Sequence, residues 1–246
     1  MITKTIIVTG GSRGLGLGIG AKLASAGYQV VAIARHESEP LKYAMRERNS
    51  CPRGSLLFRA FDLGDTSGIP GLIKQLRKEF GAIHGLVNNA GLGTGGVLAT
   101  MHDSQIERLV RLNTISAIVM TKYVVRSMMA TGGGRIVNVG SIVGFTGYRG
   151  LSIYSATKAS IIGFSRSLAR EVGPVGINVN TVAPGFLDTE MTASLIPEQR
   201  EQIARRSALH RIAEVDDVAN AVEFLLSDKA RNITGTVLTV DAGNTA

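Results

Sequence analysis

"VTGGSRGLG", residues 8–16, is the stretch on which the fold turns. It follows a short apolar run, "KTIIVTG" (4–10), and leads into "GLGLGIGAKLASAG" (14–27), which reads as a helix. The spacing Gly10-x-x-x-Gly14-x-Gly16 differs from G-x-G-x-x-G, but the physics is shared. Glycines let the backbone turn sharply and come close to a pyrophosphate. The helix that follows presents its N-terminal amides and the positive end of its dipole to that charge. A tight strand-to-helix turn with no ligand is the plainer reading. Three glycines clustered at the first strand–helix junction favour dinucleotide binding. Gly18 and Gly20 fall inside the helix, where each costs roughly 1 kcal/mol relative to alanine. Close packing of that helix is the expected reason.

The same alternation continues outward. "YQVVAIAR" (28–35) and "SLLFRAFDL" (55–63) read as strands on either side of a helix at "PLKYAMRERN". "TSGIPGLIKQLRKEFG" (66–81) is helical toward its end, and "IHGLVNNAG" (83–91) is the fourth strand. A long helix over 104–130 has Asp103 as its expected cap. "GRIVNVGSIVG" (134–144) is strand five, and a second long helix over 152–173 is ended by Gly173-Pro174. "GINVNTVAPG" (176–185) is strand six; helices at 197–206 and 214–227 precede a last strand, "GTVLTVDAG" (235–243). Alternating strands and helices imply an α/β fold, a parallel sheet with helices on both faces and right-handed crossovers. With no repeat, low-complexity tract or linker, residues 1–246 read as one domain. Its expected form is a Rossmann-type doubly wound sheet of seven strands, order 3-2-1-4-5-6-7.

Composition narrows the function. Hydrophobic residues make up 44% of the 246, enough for a sizeable core. The single cysteine, Cys51, can form neither an intrachain disulfide nor a metal cluster, and His210 has no partner at metal-ligand spacing, so no metal is expected. No secretory signal and no apolar run of membrane-spanning length is visible, so the expectation is a soluble, cytoplasmic protein without a membrane partner. The net charge is +8, but Lys and Arg are dispersed, aromatics are 5% and there is no Trp. That pattern suits attraction to anionic small molecules and argues against nucleic acid as the main partner.

The choice of dinucleotide rests on two arginines. A carboxylate ending the second strand would accept ribose hydroxyls and repel a 2′-phosphate. Here that strand ends Ala34-Arg35, and Arg13 lies in the glycine turn. Two guanidiniums suit bidentate phosphate contacts. NADP(H) is therefore preferred, with NAD(H) possible; two solvated arginines are the plainer alternative.

"IYSATKAS" (153–160) places Tyr154 one helical turn before Lys158. Residues four apart share a helix face, so both side chains can enter one cleft. A free phenol has a pKa near 10. A neighbouring ammonium should lower it toward the range of general acid–base catalysis.

With these motifs together, the chain resembles the short-chain dehydrogenase/reductase family over nearly its full length. The matching stretches are "TGGSRGLG" (9–16), "NNAG" (88–91), Asn113 in "RLNTIS", Ser141 in "VGSIVG", "YSATK" (154–158) and "APGFLDTEM" (183–191). Each alone is weak; alone, Asn113 is a helix amide, Ser141 a strand-end hydroxyl and Asp62 a turn cap. In order, and on the expected elements, they are specific. The resemblance implies a catalytic tetrad of Asn113, Ser141, Tyr154 and Lys158. It implies cofactor contacts from Gly10, Ser12, Arg13, Gly14, Leu15 and Gly16, from Asp62 and Leu63 beside adenine, and from Asn89, Ala90 and Gly91. Tyr154 and Lys158 would also touch the cofactor, Lys158 at the nicotinamide ribose. Pro184, Gly185 and Thr189 resemble the segment that holds the carboxamide.

Within that family the run most resembles the 3-oxoacyl-thioester reductases, in "SLAREVG", "INVNTVAPGF" and "DTEMT". The implied substrate is a carbonyl or acyl thioester. The same subgroup holds sugar, steroid and simple alcohol dehydrogenases. Docking of acyl carrier protein stays open, because "TGGG" (131–134) and "GPVG" (173–176) stand where such reductases often carry basic residues, and "GYRGLSIY" (147–154) departs from their loop. Arg126, Arg149, Arg205 or Arg206 are possible substitutes. Residues 186–210 read as a substrate lid, an ordinary surface helix being the alternative. The two long helices resemble the family's subunit interface, which implies a homotetramer. A cofactor-binding sensor without turnover is the rival class, and it would need neither Tyr154 nor Ser141.

Overall fold

Apolar runs of four to eight residues, bounded by turn residues, form the strands here, and the longer amphipathic runs form the helices that cover them. The computed structural model describes residues 3–50, 53–188 and 197–246. The strands are β1 (Thr5–Thr9), β2 (Gln29–Ala34), β3 (Ser55–Ala60), β4 (Ile83–Asn88), β5 (Gly134–Val139), β6 (Ile177–Pro184) and β7 (Val237–Val240). They make one sheet in the order β3-β2-β1-β4-β5-β6-β7, every neighbouring pair parallel. This is the expected doubly wound order. Its direction reverses between β1 and β4, the crevice where such sheets bind ligands.

Successive strand residues point to opposite faces, and both faces are buried. Ile6 and Val8 of β1 pack with α1 (Gly14–Ser25) and α8 (Val215–Leu226), through Ile19, Leu23, Val218 and Val222. Ile7 points the other way, into the core beneath α3 (Ile69–Phe80), α5 (Ser116–Met129) and α6 (Ser152–Val172), with Leu72, Met120, Val124 and Leu168. The remaining helices are α2 (Glu39–Asn49), α4 (Asp103–Val110) and α7 (Pro197–Arg206). Gly18 and Gly20 are explained by close packing. A Cβ on Gly18 would lie 2.2 Å from Cγ1 of Val215, and one on Gly20 would lie 3.3 Å from Cδ1 of Leu56.

Several boundaries differ from the sequence reading. Strand four stops at Asn88 and strand five at Val139, so Asn89, Ala90, Gly91 and Ser141 lie in loops beyond the strand ends. The helix expected over 104–130 is broken by a π-helical turn, Arg111–Ile115. Asp103 does not cap it: His102 is the N-cap, its N–H donates to Oε1 of Gln105 at 3.2 Å, and Asp103 is the first helical residue. Thr189 and part of the 186–210 segment lie outside the described residues, as does Cys51. Among the described residues no helix is long and apolar enough to cross a membrane.

Candidate active site

The carboxyl ends of β1, β4, β5 and β6 meet at one cleft, and α6 runs along it. The glycine turn is fixed to the sheet at both sides. The Gly10 amide donates to the Ile33 carbonyl at 2.8 Å. Thr9 Oγ1 accepts from the backbone amides of Asn89 and Ala90, each at 3.0 Å, and the Asn89 side-chain Nδ2 donates to the Thr9 carbonyl at 2.9 Å. Two positions require glycine. Gly14 has φ +52, a left-handed conformation, and a Cβ there would meet nothing within 4 Å. A Cβ on Gly16 would fall 2.2 Å from the Gly10 carbonyl oxygen.

Arg13 is the N-cap of α1 and supplies no side-chain cap hydrogen bond, and the first turn of α1 carries no acidic residue. The opening amides of α1 thus have no side-chain cap and follow a cationic residue, a cradle that fits a pyrophosphate. Ser12 lies in the same turn. Ser38, just past Arg35, donates its hydroxyl to the Ser12 carbonyl and accepts from the Leu41 amide at 3.2 Å, capping α2. That bond ties the loop carrying Arg35 to the loop carrying Arg13, and both arginines are exposed. Leu15 is half-buried, in the first turn of α1. Beyond β3, Leu63 is buried, while Asp62 is exposed and accepts from the Gly64 amide at 2.9 Å.

Tyr154, Thr157 and Lys158 occupy one face of α6 by their spacing of three and four. Lys158 is 6% exposed; its Nζ donates to the Val139 carbonyl at 2.8 Å and lies 5.7 Å from the Tyr154 ring centre. Ser141 follows β5 and caps a short 3₁₀ turn, Ile142–Gly144, its Oγ accepting from the Val143 amide, and its hydroxyl neighbours the Tyr154 phenol. The π-turn accounts for Asn113. Ser116 N–H reaches back five residues to the Arg111 carbonyl, and the widened turn directs Asn113 inward, 3% exposed. Its Oδ1 accepts from Leu92 N–H at 2.8 Å; its Nδ2 donates to the Leu92 carbonyl at 2.9 Å and to Thr157 Oγ1 at 3.2 Å. Thr157 passes the chain on, donating to the Tyr154 carbonyl at 2.7 Å. Asn113 therefore joins the loop after β4 to the turn of α6 that carries the tyrosine and lysine. Gly91 abuts the same amide: a Cβ there would be 3.2 Å from Asn113 Oδ1.

The electrostatics depart from the sequence expectation. Burial pushes the Tyr154 phenol up to about 12, against the opposing effect of the neighbouring Ser141 hydroxyl. Burial also holds the Lys158 ammonium down to about 8. Lys158 is not among the causes that shift the phenol in the chain's own environment; desolvation sets the direction for both groups.

Pro184 ends β6, and Gly185 N–H donates to the Val240 carbonyl at 2.9 Å. Phe186 then meets Tyr148, from the loop before α6, with ring centres 5.6 Å apart. Exposed Phe145 and Arg149 share that loop. Three residues that organise the cleft are absent from the sequence-based set: Thr9, Thr157 and Ser38. Thr157 had a signal, since it lies on the Tyr154–Lys158 face. Thr9, immediately before the first glycine, and Ser38, three residues past Arg35, had none that spacing conveys.

Parallel strands that reverse order beside a glycine turn, with a buried lysine and a half-buried tyrosine on the helix after the fifth strand, are the build of a Rossmann-type oxidoreductase. More narrowly, the chain belongs to the short-chain dehydrogenase family, whose sequence profile matches residues 4–200. It is 40% identical over 242 residues to the 3-oxoacyl-[acyl-carrier-protein] reductase FabG of Haemophilus influenzae, covering 98% of this chain and 97% of that one. It is 39% identical over 240 residues to the FabG of Escherichia coli, covering 98% and 96%. Among solved structures, a short-chain dehydrogenase of Burkholderia cenocepacia in complex with NADP superposes with TM-score 0.92 at 32% identity, covering 100% of this chain and 99% of that one. A short-chain dehydrogenase/reductase of Mycobacterium ulcerans gives TM-score 0.92 at 30% identity, covering 98% and 89%.

Proposed function

We propose that this protein is an NADP(H)-dependent reductase of 3-oxoacyl thioesters. The observation that carries the reading is the convergence of Ser141, Tyr154, Lys158 and Asn113 at the carboxyl ends of the strands, facing the glycine turn. The likeness to the FabG proteins narrows the substrate class. The glycine turn and the first amides of α1 hold the pyrophosphate; Arg13 and Arg35 take the 2′-phosphate, with NADH as the weaker cofactor. Leu15, Asp62 and Leu63 flank the adenosine half, Asn89 to Gly91 lie along the cofactor, and Pro184, Gly185 and Thr189 hold the carboxamide end. Bound there, the reduced cofactor would supply the hydride for the carbonyl carbon.

The chain's own groups manage the oxygen and its proton. A phenol held near 12 keeps its proton at neutral pH, the state from which a general acid for carbonyl reduction starts. Tyr154 gives that proton to the carbonyl oxygen as charge develops there. Ser141, beside the phenol, donates to the same oxygen and stabilises that charge. Lys158 has two protons beyond the one on Val139, for a ribose hydroxyl and for returning a proton to the phenol. Asn113 holds the loop and the helix in register and supports the water that connects Lys158 to solvent.

We further propose one domain over 1–246, with residues 186–210 closing over the substrate, and a cytoplasmic homotetramer associating through α5, α6 and the exposed Ile115. Delivery by acyl carrier protein or as the coenzyme A thioester are the two candidate routes. The test follows NADPH absorbance with acetoacetyl-coenzyme A. Turnover is expected, and Tyr154→Phe should reduce kcat by a factor on the order of 10³, within the typical range for loss of a general acid, while NADPH affinity stays within about threefold. Retained turnover in that variant removes Tyr154 from the mechanism. Tight NADPH binding with no acetoacetyl-coenzyme A reduction moves the substrate to sugars, cyclic ketones or secondary alcohols.

A further inference from the structure

Between α3 and α5, on the outer side of the helix layer, runs a groove of about 400 Å³. Lys74, Arg77 and Lys78 line it from α3, and Tyr123, Arg126 and Ser127 from α5. The cations of this wall form no ion pair with a carboxylate among the described residues, and the neighbouring Glu79 is engaged by Arg59. Lys122 adds a further charge beside the groove: its Nζ and the Arg126 Cζ each lie 5.4 Å from the Tyr123 ring centre. The ring thus holds two cations at the edge of the groove. Ser127, which also lines it, is 1% exposed, and its Oγ has no hydrogen-bond partner among the described residues.

Two unfavourable features coincide here. Like charges gathered on one wall repel one another, and a buried hydroxyl without a partner is destabilising. Helix dipoles account for part of the charge, because Arg77, Lys78 and Arg126 lie in last turns. They account neither for Lys74, mid-helix, nor for the Ser127 hydroxyl. A single anion would relieve both features at once. The size suits a compact, multiply charged group better than a helix or a nucleic acid, and arginines bind phosphoryl oxygens bidentately.

We propose that the α3–α5 groove is a second ligand site, binding a polyphosphate-bearing anion through Lys74, Arg77, Lys78, Arg126 and the Ser127 hydroxyl. It is separate from the cleft already described. The groove reaches the end of α5, next to the start of β5, toward the amino ends of the strands, whereas Tyr154, Lys158 and the glycine turn are at their carboxyl ends. Occupancy would link α3 to α5, the helix that continues from the π-turn of Asn113.

Isothermal titration of the full chain with inorganic tripolyphosphate, at physiological ionic strength, tests this. Saturable binding of one anion per chain is expected at the groove, over and above binding at the glycine turn. Arg77→Ala or Arg126→Ala should weaken it about tenfold or more, the effect of losing one charge-assisted hydrogen bond. Ser127→Ala, which removes an unpartnered hydroxyl, should weaken it severalfold without lowering the melting temperature of the free protein. The Arg13→Ala/Arg35→Ala double variant, whose changes lie at the dinucleotide turn, should keep the groove's one-anion share of the binding. In that double variant, ATP binding tighter than tripolyphosphate points to a nucleotide as the source, and equal binding to the phosphate chain alone. Loss of binding only in the double variant assigns the anion to the glycine turn and overturns the proposal. So does a response no greater than that of sulfate at equal ionic strength, or capture of polyglutamate in place of tripolyphosphate.

Discussion

Lys158 shows how burial sets chemistry at the residue scale. Its ammonium is 6% exposed and held down to about 8, so it is charged at neutral pH and titrates within reach of an ordinary assay. Because kcat/KM reports ionisations of the free enzyme, reduction by NADPH should decline above about pH 8 as that charge is lost. Lys158→Arg keeps a charge that does not titrate, since guanidinium pKa values exceed about 12. We expect that variant, though slower, to lack the descending limb. A limb of unchanged position in the variant's pH profile would assign the ionisation to another group. The exposed Arg35 offers a second residue-scale test. Arg35→Asp should weaken NADPH by about tenfold or more, because it removes one charge-assisted hydrogen bond and adds a repulsive carboxylate, while NADH changes little. Fluorescence titration with the two cofactors decides it, and equal losses would remove Arg35 from the phosphate contacts. The spacing of Tyr154 and Lys158 made their common face legible in the sequence. The direction of the phenol's shift was not, because it depends on depth beneath the surface, which a four-residue interval does not encode.

At the scale of elements, α1 carries the clearest packing constraint. Gly18 lets α1 approach the first residue of α8 so closely that a Cβ would lie 2.2 Å from Val215 Cγ1. Alanine at position 18 gains roughly 1 kcal/mol of helix propensity but must displace a β-branched side chain at a helix start. Overpacking of this kind typically costs about 1–3 kcal/mol, so Gly18→Ala should lower stability in urea unfolding. In the Val215→Ala background the same change should be neutral or stabilising, and the double-mutant cycle should give a coupling above about 0.5 kcal/mol. Additive effects would mean that the two helices have room to part. The sequence marked Gly18 as anomalous without naming its partner, because helices 14–25 and 215–226 are far apart in the chain. The strands and their order were legible from alternation and the glycine turn. The π-turn at Arg111–Ile115 was not: apolar periodicity runs through "RLNTISAIVM" without a break, and an extra residue in one turn leaves no mark in composition. That turn is nevertheless what brings Asn113 to Thr157.

Across the whole molecule, each end of the sheet holds its own polar cluster. The carboxyl ends carry the cleft. At the amino ends four distant parts of the chain meet, where Lys4 pairs with Asp228 at 3.1 Å, Arg135 approaches the same carboxylate at 3.9 Å, and His84 lies among them. The His84 Nε2 is buried without a hydrogen-bond partner among the described residues. Burial first, then the charges of Lys4 and Arg135, hold its imidazole down to about 4 from an ordinary 6.5, with Asp228 opposing. A histidine whose folded pKa is depressed favours the unfolded chain once protons become available to it. As pH falls below about 6.5 the unfolded state takes up a proton that the folded state refuses, and stability declines until about 4, where folded His84 titrates as well. Asp228, held below the usual carboxylate range by Lys4, contributes stability that is lost only at lower pH, so its effect lies beyond that window. Urea midpoints between pH 4 and 7 should therefore fall with acidity in the parent protein. His84→Gln keeps the approximate shape without the titration and should flatten that slope, and an unaltered slope would place the acid sensitivity elsewhere in the fold.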